Sequence, residues 1–166
     1  MHSIDEIVRA VYRKDVMVLD SVTPEEVNLR DEDGRTPLMH AMLAEDTDPA
    51  IVALLIDRGA DVDVADSDQK WTALHFAARD QNEAQVRLLL KAGADVDPVD
   101  VFGNTPLWRS VMNSRSDLAA MKLLIEHGAD PHLRNHHGIS PLDLARQSGQ
   151  DDVVALFVRR DRRHRG

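Results

Sequence analysis

The feature that most constrains this chain is a segment that recurs along it. The stretch TALHFAARDQNEAQVRLLLKAGADVD, from Thr72 to Asp97, has variants upstream and downstream. TPLMHAML opens at Thr36, TPLWRSVM at Thr105 and SPLDLARQ at Ser140, so the Thr/Ser starts lie 36, 33 and 35 residues apart. Gly59, Gly93 and Gly128 recur at intervals of 34 and 35. A period of this length marks supersecondary units that cannot bury their apolar faces alone and must stack. Each unit reads as two helices. The Thr or Ser hydroxyl caps the first, often with Pro at the first helical position, and a Gly ends the second.

The T-P-L-H-x-A-like starts and LLL-x-x-GAD-like ends cover residues 31 to about 157, and here the chain resembles the ankyrin-repeat family. The resemblance implies an all-α, right-handed ankyrin-repeat solenoid of stacked helix pairs with β-turn or hairpin tips. It also implies a protein-binding role and says nothing of catalysis. The expected organisation is one domain over 1–158: an N-terminal capping unit (1–30), full repeats at 31–65, 66–98 and 99–134, and a C-terminal capping unit (135–158). An Arg-rich tail (159–166) follows, with the last helix ending near Arg159. In the first unit Ser3 and Glu6 have capping-box spacing, and Ile4, Val8 and Val11 recur at helical spacing. The turn from Asp66 to Trp71 is one residue longer than its counterparts and lacks their Gly, which predicts a tip of different shape.

Charge narrows the partner. The formal net charge is −9, and because Arg159–Gly166 holds five Arg and one Asp, the rest of the chain carries −13. Such a body argues against nucleic acid, whose phosphates need a positive field, and suits a basic protein. The short Arg run reads as a solvated terminus. The chain has no cysteine, hence no disulfide framework or thiolate site. No apolar run approaches the ~20 residues that span a bilayer, so no membrane contact is expected. The N-terminus carries early acids and no continuous apolar stretch, so no signal peptide is expected either, and the expected location is cytoplasmic.

Little in the sequence points to catalysis. His75 stands at the His of the T-x-L-H pattern, where the resemblance implies that the imidazole ties one unit to the next; Met39, Trp108 and Asp143 replace it in the other units. His132, His136 and His137, with Asp130 nearby, raise the alternative of a metal-assisted hydrolase. Adjacent His residues cannot point the same way on a regular element, and no H-x-x-x-H pair supports them, so solvated turn-tip imidazoles are expected. Asp31, Asp33, Asp61, Asp63, Asp66 and Asp68 lack the alternation and Gly of a calcium loop and read as caps and turn formers. Seven of the eight glycines fall at recurrent turns, and no phosphate-cradling G-x-x-x-x-G-K-[ST] occurs. No catalytic residue, cofactor or metal is expected.

In the family, partners are gripped by the turn tips and the exposed side of the first helix. Carried onto this chain, those positions are Glu32, Asp33, Arg35, Leu43 and Ala44, then Asp68, Gln69, Trp71, Arg79 and Asp80. The third unit gives Val101, Phe102, Asn104, Met112 and Asn113, and the last gives His136, His137, Ile139, Gln147 and Ser148. Trp71 and Phe102, two of only six aromatics, are expected as exposed anchors on adjacent tips, with Trp108 as a third candidate. Glu32, Asp33, Arg79 and Asp80 would set charge complementarity. The expected function is a non-enzymatic protein–protein interaction module. It would serve either as an adaptor or as a dedicated inhibitor, resembling the small ankyrin-type immunity proteins that neutralise a toxin or enzyme.

Overall fold

The computed structural model describes residues 1–114 and 117–164, without the side chains of 160–164. Among the described residues it holds ten α-helices, one 3₁₀ turn (Glu26–Asn28) and no strand. The helices are α1 (Ile4–Arg13), α2 (Val16–Asp20), α3 (Pro37–Leu43), α4 (Pro49–Asp57), α5 (Ala73–Arg79), α6 (Glu83–Lys91), α7 (Pro106–Met112), α8 (Ala119–Glu126), α9 (Pro141–Gln147) and α10 (Asp151–His164). Odd-numbered helices stack on one another in one column and even-numbered helices in a second, with each pair packed within its own layer. The solenoid inferred from the period is therefore the architecture observed.

Local chemistry sets the helix starts. Thr36, Thr105 and Ser140 accept hydrogen bonds at their hydroxyls from the N–H groups of Met39, Trp108 and Asp143, at 3.4, 3.2 and 3.1 Å. Pro37, Pro106 and Pro141 sit just inside, where a missing N–H costs nothing. The capping box at Ser3 is formed: its N–H donates to Glu6 Oε2 at 2.8 Å and its Oγ accepts from the Glu6 N–H at 3.3 Å. These short helices gain their stability from burial rather than propensity. Leu38, Leu74, Leu107 and Leu142 occupy the second position of α3, α5, α7 and α9 and are buried in each of these four layers. One continuous apolar cluster runs from Ile7 to Phe157.

Between neighbouring tips runs a single backbone hydrogen bond rather than a sheet. Ser67 N–H donates to the Asp33 carbonyl at 2.8 Å, Val101 N–H to Gln69 at 3.0 Å and His136 N–H to Phe102 at 2.9 Å. This ladder requires close backbone approach. Gly103 has φ +77°, and a Cβ there would lie 2.8 Å from the His136 ring and 3.0 Å from its nitrogen. Gly103→Ala should therefore lower the unfolding free energy by about 1–2 kcal/mol, seen as a reduced melting temperature in a thermal scan. A variant as stable as the parent would show that the tips do not need this contact.

One boundary differs from expectation. α10 runs on to His164 instead of ending near Arg159. Nothing in RRDRRH breaks a helix, arginine is a good helix former, and cations suit a helix C-terminus. The last two residues of the Arg-rich run, 165 and 166, lie outside the described residues.

Candidate partner-binding surface

Each tip is built on one carboxylate or amide. Asp31 Oδ1 accepts from the N–H groups of Asp33 and Arg35 at 3.0 and 2.8 Å. Asp66 Oδ1 accepts from Gln69 and Trp71, both at 3.0 Å, and Asp100 Oδ1 from Phe102 and Asn104 at 2.8 and 2.9 Å. Asn135 Oδ1 accepts from His137 and Ile139, both at 3.0 Å. A side chain satisfying two turn N–H groups fixes the loop without a strand. Asp31 and Asp66 are thus the turn formers their positions suggest. A second device locks two of these tips to the first helix. His40 Nε2 meets Asp31 Oδ2 at 2.7 Å, and Arg109 Nε donates to Asp100 Oδ2 at 2.9 Å while its Nη2 reaches the same oxygen. Burial by itself would raise the Asp100 pKa. The Asn104 N–H, the Arg109 guanidinium and the Phe102 N–H outweigh that and hold it below the ordinary carboxylate value.

The two aromatic tips turn out to be unalike. Phe102 is 46% exposed and its neighbour Val101 41%. Trp71, expected beside them, is only 8% exposed. The additional residue in its turn puts Lys70 in the left-handed region at φ +59°, and the bond from Trp71 N–H to Asp66 places Trp71 where Arg35, Asn104 and Ile139 stand in the other units. Its ring packs against Phe76 (centroids 5.0 Å apart, edge-on) and His75 (5.9 Å, stacked). The guanidinium carbons of Arg109 and Arg79 lie 4.8 and 5.4 Å from its centroid. Trp71 is a packing residue of its layer, not an exposed anchor.

Asn104 is also withdrawn, at 4% exposure. It donates from Nδ2 to Asp100 Oδ2 at 3.4 Å and accepts at Oδ1 from Asn135 Nδ2 at 2.7 Å, so its side chain bolts two tips together. The structure leaves the other candidates at the surface to differing degrees. Glu32, Asp33, Asp68, Gln69, Asp80, Met112, Asn113, His136 and His137 are exposed, and Arg35, Arg79, Trp108 and Ile139 half-buried. Several surface cations are already paired: Arg35 Nη1 with Asp33 at 3.0 Å, and Arg79 with both Asp80 oxygens at 2.7 and 2.8 Å. His132, His136 and His137 do not gather into a site. Among the described residues no group of three or more His, Cys, Asp or Glu is placed to hold a metal ion.

His75 has the linking role expected of it. The Thr72 N–H donates to Nδ1 at 3.2 Å, which leaves the proton on Nε2, and that N–H donates to the Asn104 carbonyl of the next unit at 3.1 Å. Burial pushes its pKa down to about 4. The unfolded chain takes up this proton below its ordinary value of 6.5, whereas the folded chain resists until about pH 4. Stability is therefore complete above pH 6.5 and falls as pH drops through that window, by on the order of 3 kcal/mol. Urea unfolding across pH 7 to 4.5 should show the decline, and His75→Met should flatten it.

The match to known sequences decides the family. A family model described as ankyrin repeats (3 copies) matches residues 7–100 and 86–164. The chain belongs to the ankyrin-repeat family. Such repeats are typically non-enzymatic modules for protein–protein interaction. A stretch of 59 residues is 37% identical to the ankyrin repeat protein YahD of Escherichia coli (strain K12), covering 34% of this chain and 29% of that protein. Another of 60 residues is 33% identical to human transient receptor potential cation channel subfamily A member 1, covering 36% of this chain and 5% of the channel. A third of 55 residues is 42% identical to potassium channel AKT1 of Oryza sativa subsp. indica, covering 33% of this chain and 6% of that protein. The chain thus spans less than a third of each of these relatives, and what it shares with them is the repeat. No helix among the described residues is long and apolar enough to cross a membrane.

Proposed function

We propose that this ankyrin-repeat chain is a non-enzymatic binding module that holds a partner protein across its tips and first-helix column, with Phe102 as the apolar anchor. The supporting observation is the exposure of Phe102 and Val101 on a tip that Asp100 makes rigid. A large aromatic held outward by a fixed backbone loses little conformational entropy on binding, and such residues commonly carry interface energy. Met112, 59% exposed at the end of α7, adds apolar area in the same unit. Glu32, Asp33, Asp68 and Asp80 are exposed carboxylates, and within a body of charge −13 they favour a basic partner and speed its approach. That charge is also what favours the second reading, a dedicated inhibitor covering a basic toxin or enzyme.

The experiment is capture of partners from the native source on the immobilised chain, with affinity then measured by calorimetry. Phe102→Ala should weaken binding by about 2 kcal/mol, roughly thirtyfold. Undiminished affinity of that variant would remove Phe102 as the anchor. An inhibitor would yield one tight partner whose activity it abolishes, and an adaptor several whose activities survive.

A further inference from the structure

The first layer has an open side. Its helices α1 and α2 pack on each other, on α3 and on α4, and their remaining side is the end of the described solenoid. A polar surface is expected at such an end. Instead Met17 is 86% exposed and Val16 54%, with Tyr12 at the end of α1 50% exposed. Open apolar side chains in one short stretch are of the kind that a protein contact covers.

The charges of this layer select what covers it. The exposed ionic side chains of α1, α2 and their caps are Asp5, Glu6, Asp15 and Asp20 against Arg9, Arg13 and Lys14. The face is therefore close to neutral within an acidic body. Asp15 is engaged as a cap, accepting from the Val18 N–H at 3.2 Å, and Asp20 is held by Arg58. The remaining charges are sorted by end: Asp5 and Glu6 lie in the first turn of α1, Arg13 and Lys14 at its close. Among the described residues the side chains of Asp5, Arg9, Arg13 and Lys14 make no hydrogen bond or ion pair. By contrast Arg35, Arg58, Arg79, Arg87 and Arg109 each hold a carboxylate. A helix negative at one end and positive at the other is complementary to itself when reversed. A partner of one sign would match only half of it, whereas an isologous two-fold contact lays it antiparallel on its own copy.

We propose that this face binds the same face of a second copy, forming a two-fold dimer in which α1 runs antiparallel to its counterpart. One register sets Asp5 opposite Lys14 of the copy and Glu6 opposite its Arg13, and the two-fold repeats both pairs. Arg9 falls beside the axis, where its long side chain turns its head to solvent. Val16 and Met17 supply apolar area to be covered, and the antiparallel setting opposes the two helix dipoles. The tips of both copies stay free, so the dimer presents Phe102 twice and would hold a repetitive partner at two points.

Sedimentation of the full chain, loaded at about 5 to about 500 µM, tests this, since a contact of one layer is small and weak. The mass should rise from one chain to two and stop there. Met17→Glu should weaken the dimer at least about tenfold, and its melting temperature at the lowest concentration should match the parent, because the side chain is exposed in the single chain. Lys14→Glu should weaken the dimer about tenfold as well, its new charge facing Asp5 of the copy, and adding Asp5→Lys should restore it. A chain that stays single throughout, a mass that climbs beyond two chains, or a charge-swapped variant no better than Lys14→Glu alone would each overturn the proposal. None of these outcomes bears on Phe102 as the tip anchor.

Discussion

Replacing Arg109 by Met is expected to lower the unfolding free energy by about 3–5 kcal/mol, the usual cost of leaving one member of a buried ion pair alone. The Asp100 side chain has 0% exposure and that of Arg109 14%, so water cannot take the place of the lost guanidinium. Asp100 is also the acceptor that shapes the third tip, through the N–H groups of Phe102 and Asn104. The same substitution removes the cation lying 4.8 Å from the Trp71 centroid, so the loss extends into the neighbouring layer. Urea denaturation checks the figure. Asp100→Asn combined with Arg109→Met should cost less than the sum of the two single changes, because the double variant buries no orphaned charge. Strict additivity would show that the pair is not coupled.

Trp71→Ala is expected to be nearly as damaging, at about 3–5 kcal/mol. The ring packs against Phe76, His75 and two guanidiniums, and its removal leaves a cavity at that place in the layer. For a domain of this size each kcal/mol corresponds to roughly 2–4 °C in melting temperature, so a fall of about 10 °C is the expected reading in calorimetry. A surface residue would cost a few tenths of a kcal/mol at most.

These two residues also show where the sequence stops being readable. The repeat period, the capping Thr and Ser residues and the Ser3–Glu6 box follow from spacing along the chain, because each depends on residues three or four apart or one unit apart, and the link made by His75 follows from the family pattern that the chain resembles. The direction of Trp71 does not. It depends on Lys70 taking up the left-handed turn in the lengthened loop, and a residue just before a helix cap can face either the partner or its own layer. Asn104 occupies the same kind of position and turns inward as well. The one available signal was that both stand immediately before the capping Thr, not at the tip. The Arg109–Asp100 pair left a trace as well: His40 and Asp31 have the same separation of nine residues and the same geometry.

The central claim is that, of two rings in adjacent repeats, Trp71 holds the fold while Phe102, exposed on its tip, is free to meet a partner. Parallel calorimetric melts of Trp71→Ala and Phe102→Ala test this most directly. Trp71→Ala should lose about 10 °C, whereas Phe102→Ala should stay within about 2 °C of the parent chain. Comparable losses in the two variants, or a larger one for Phe102→Ala, would contradict the account.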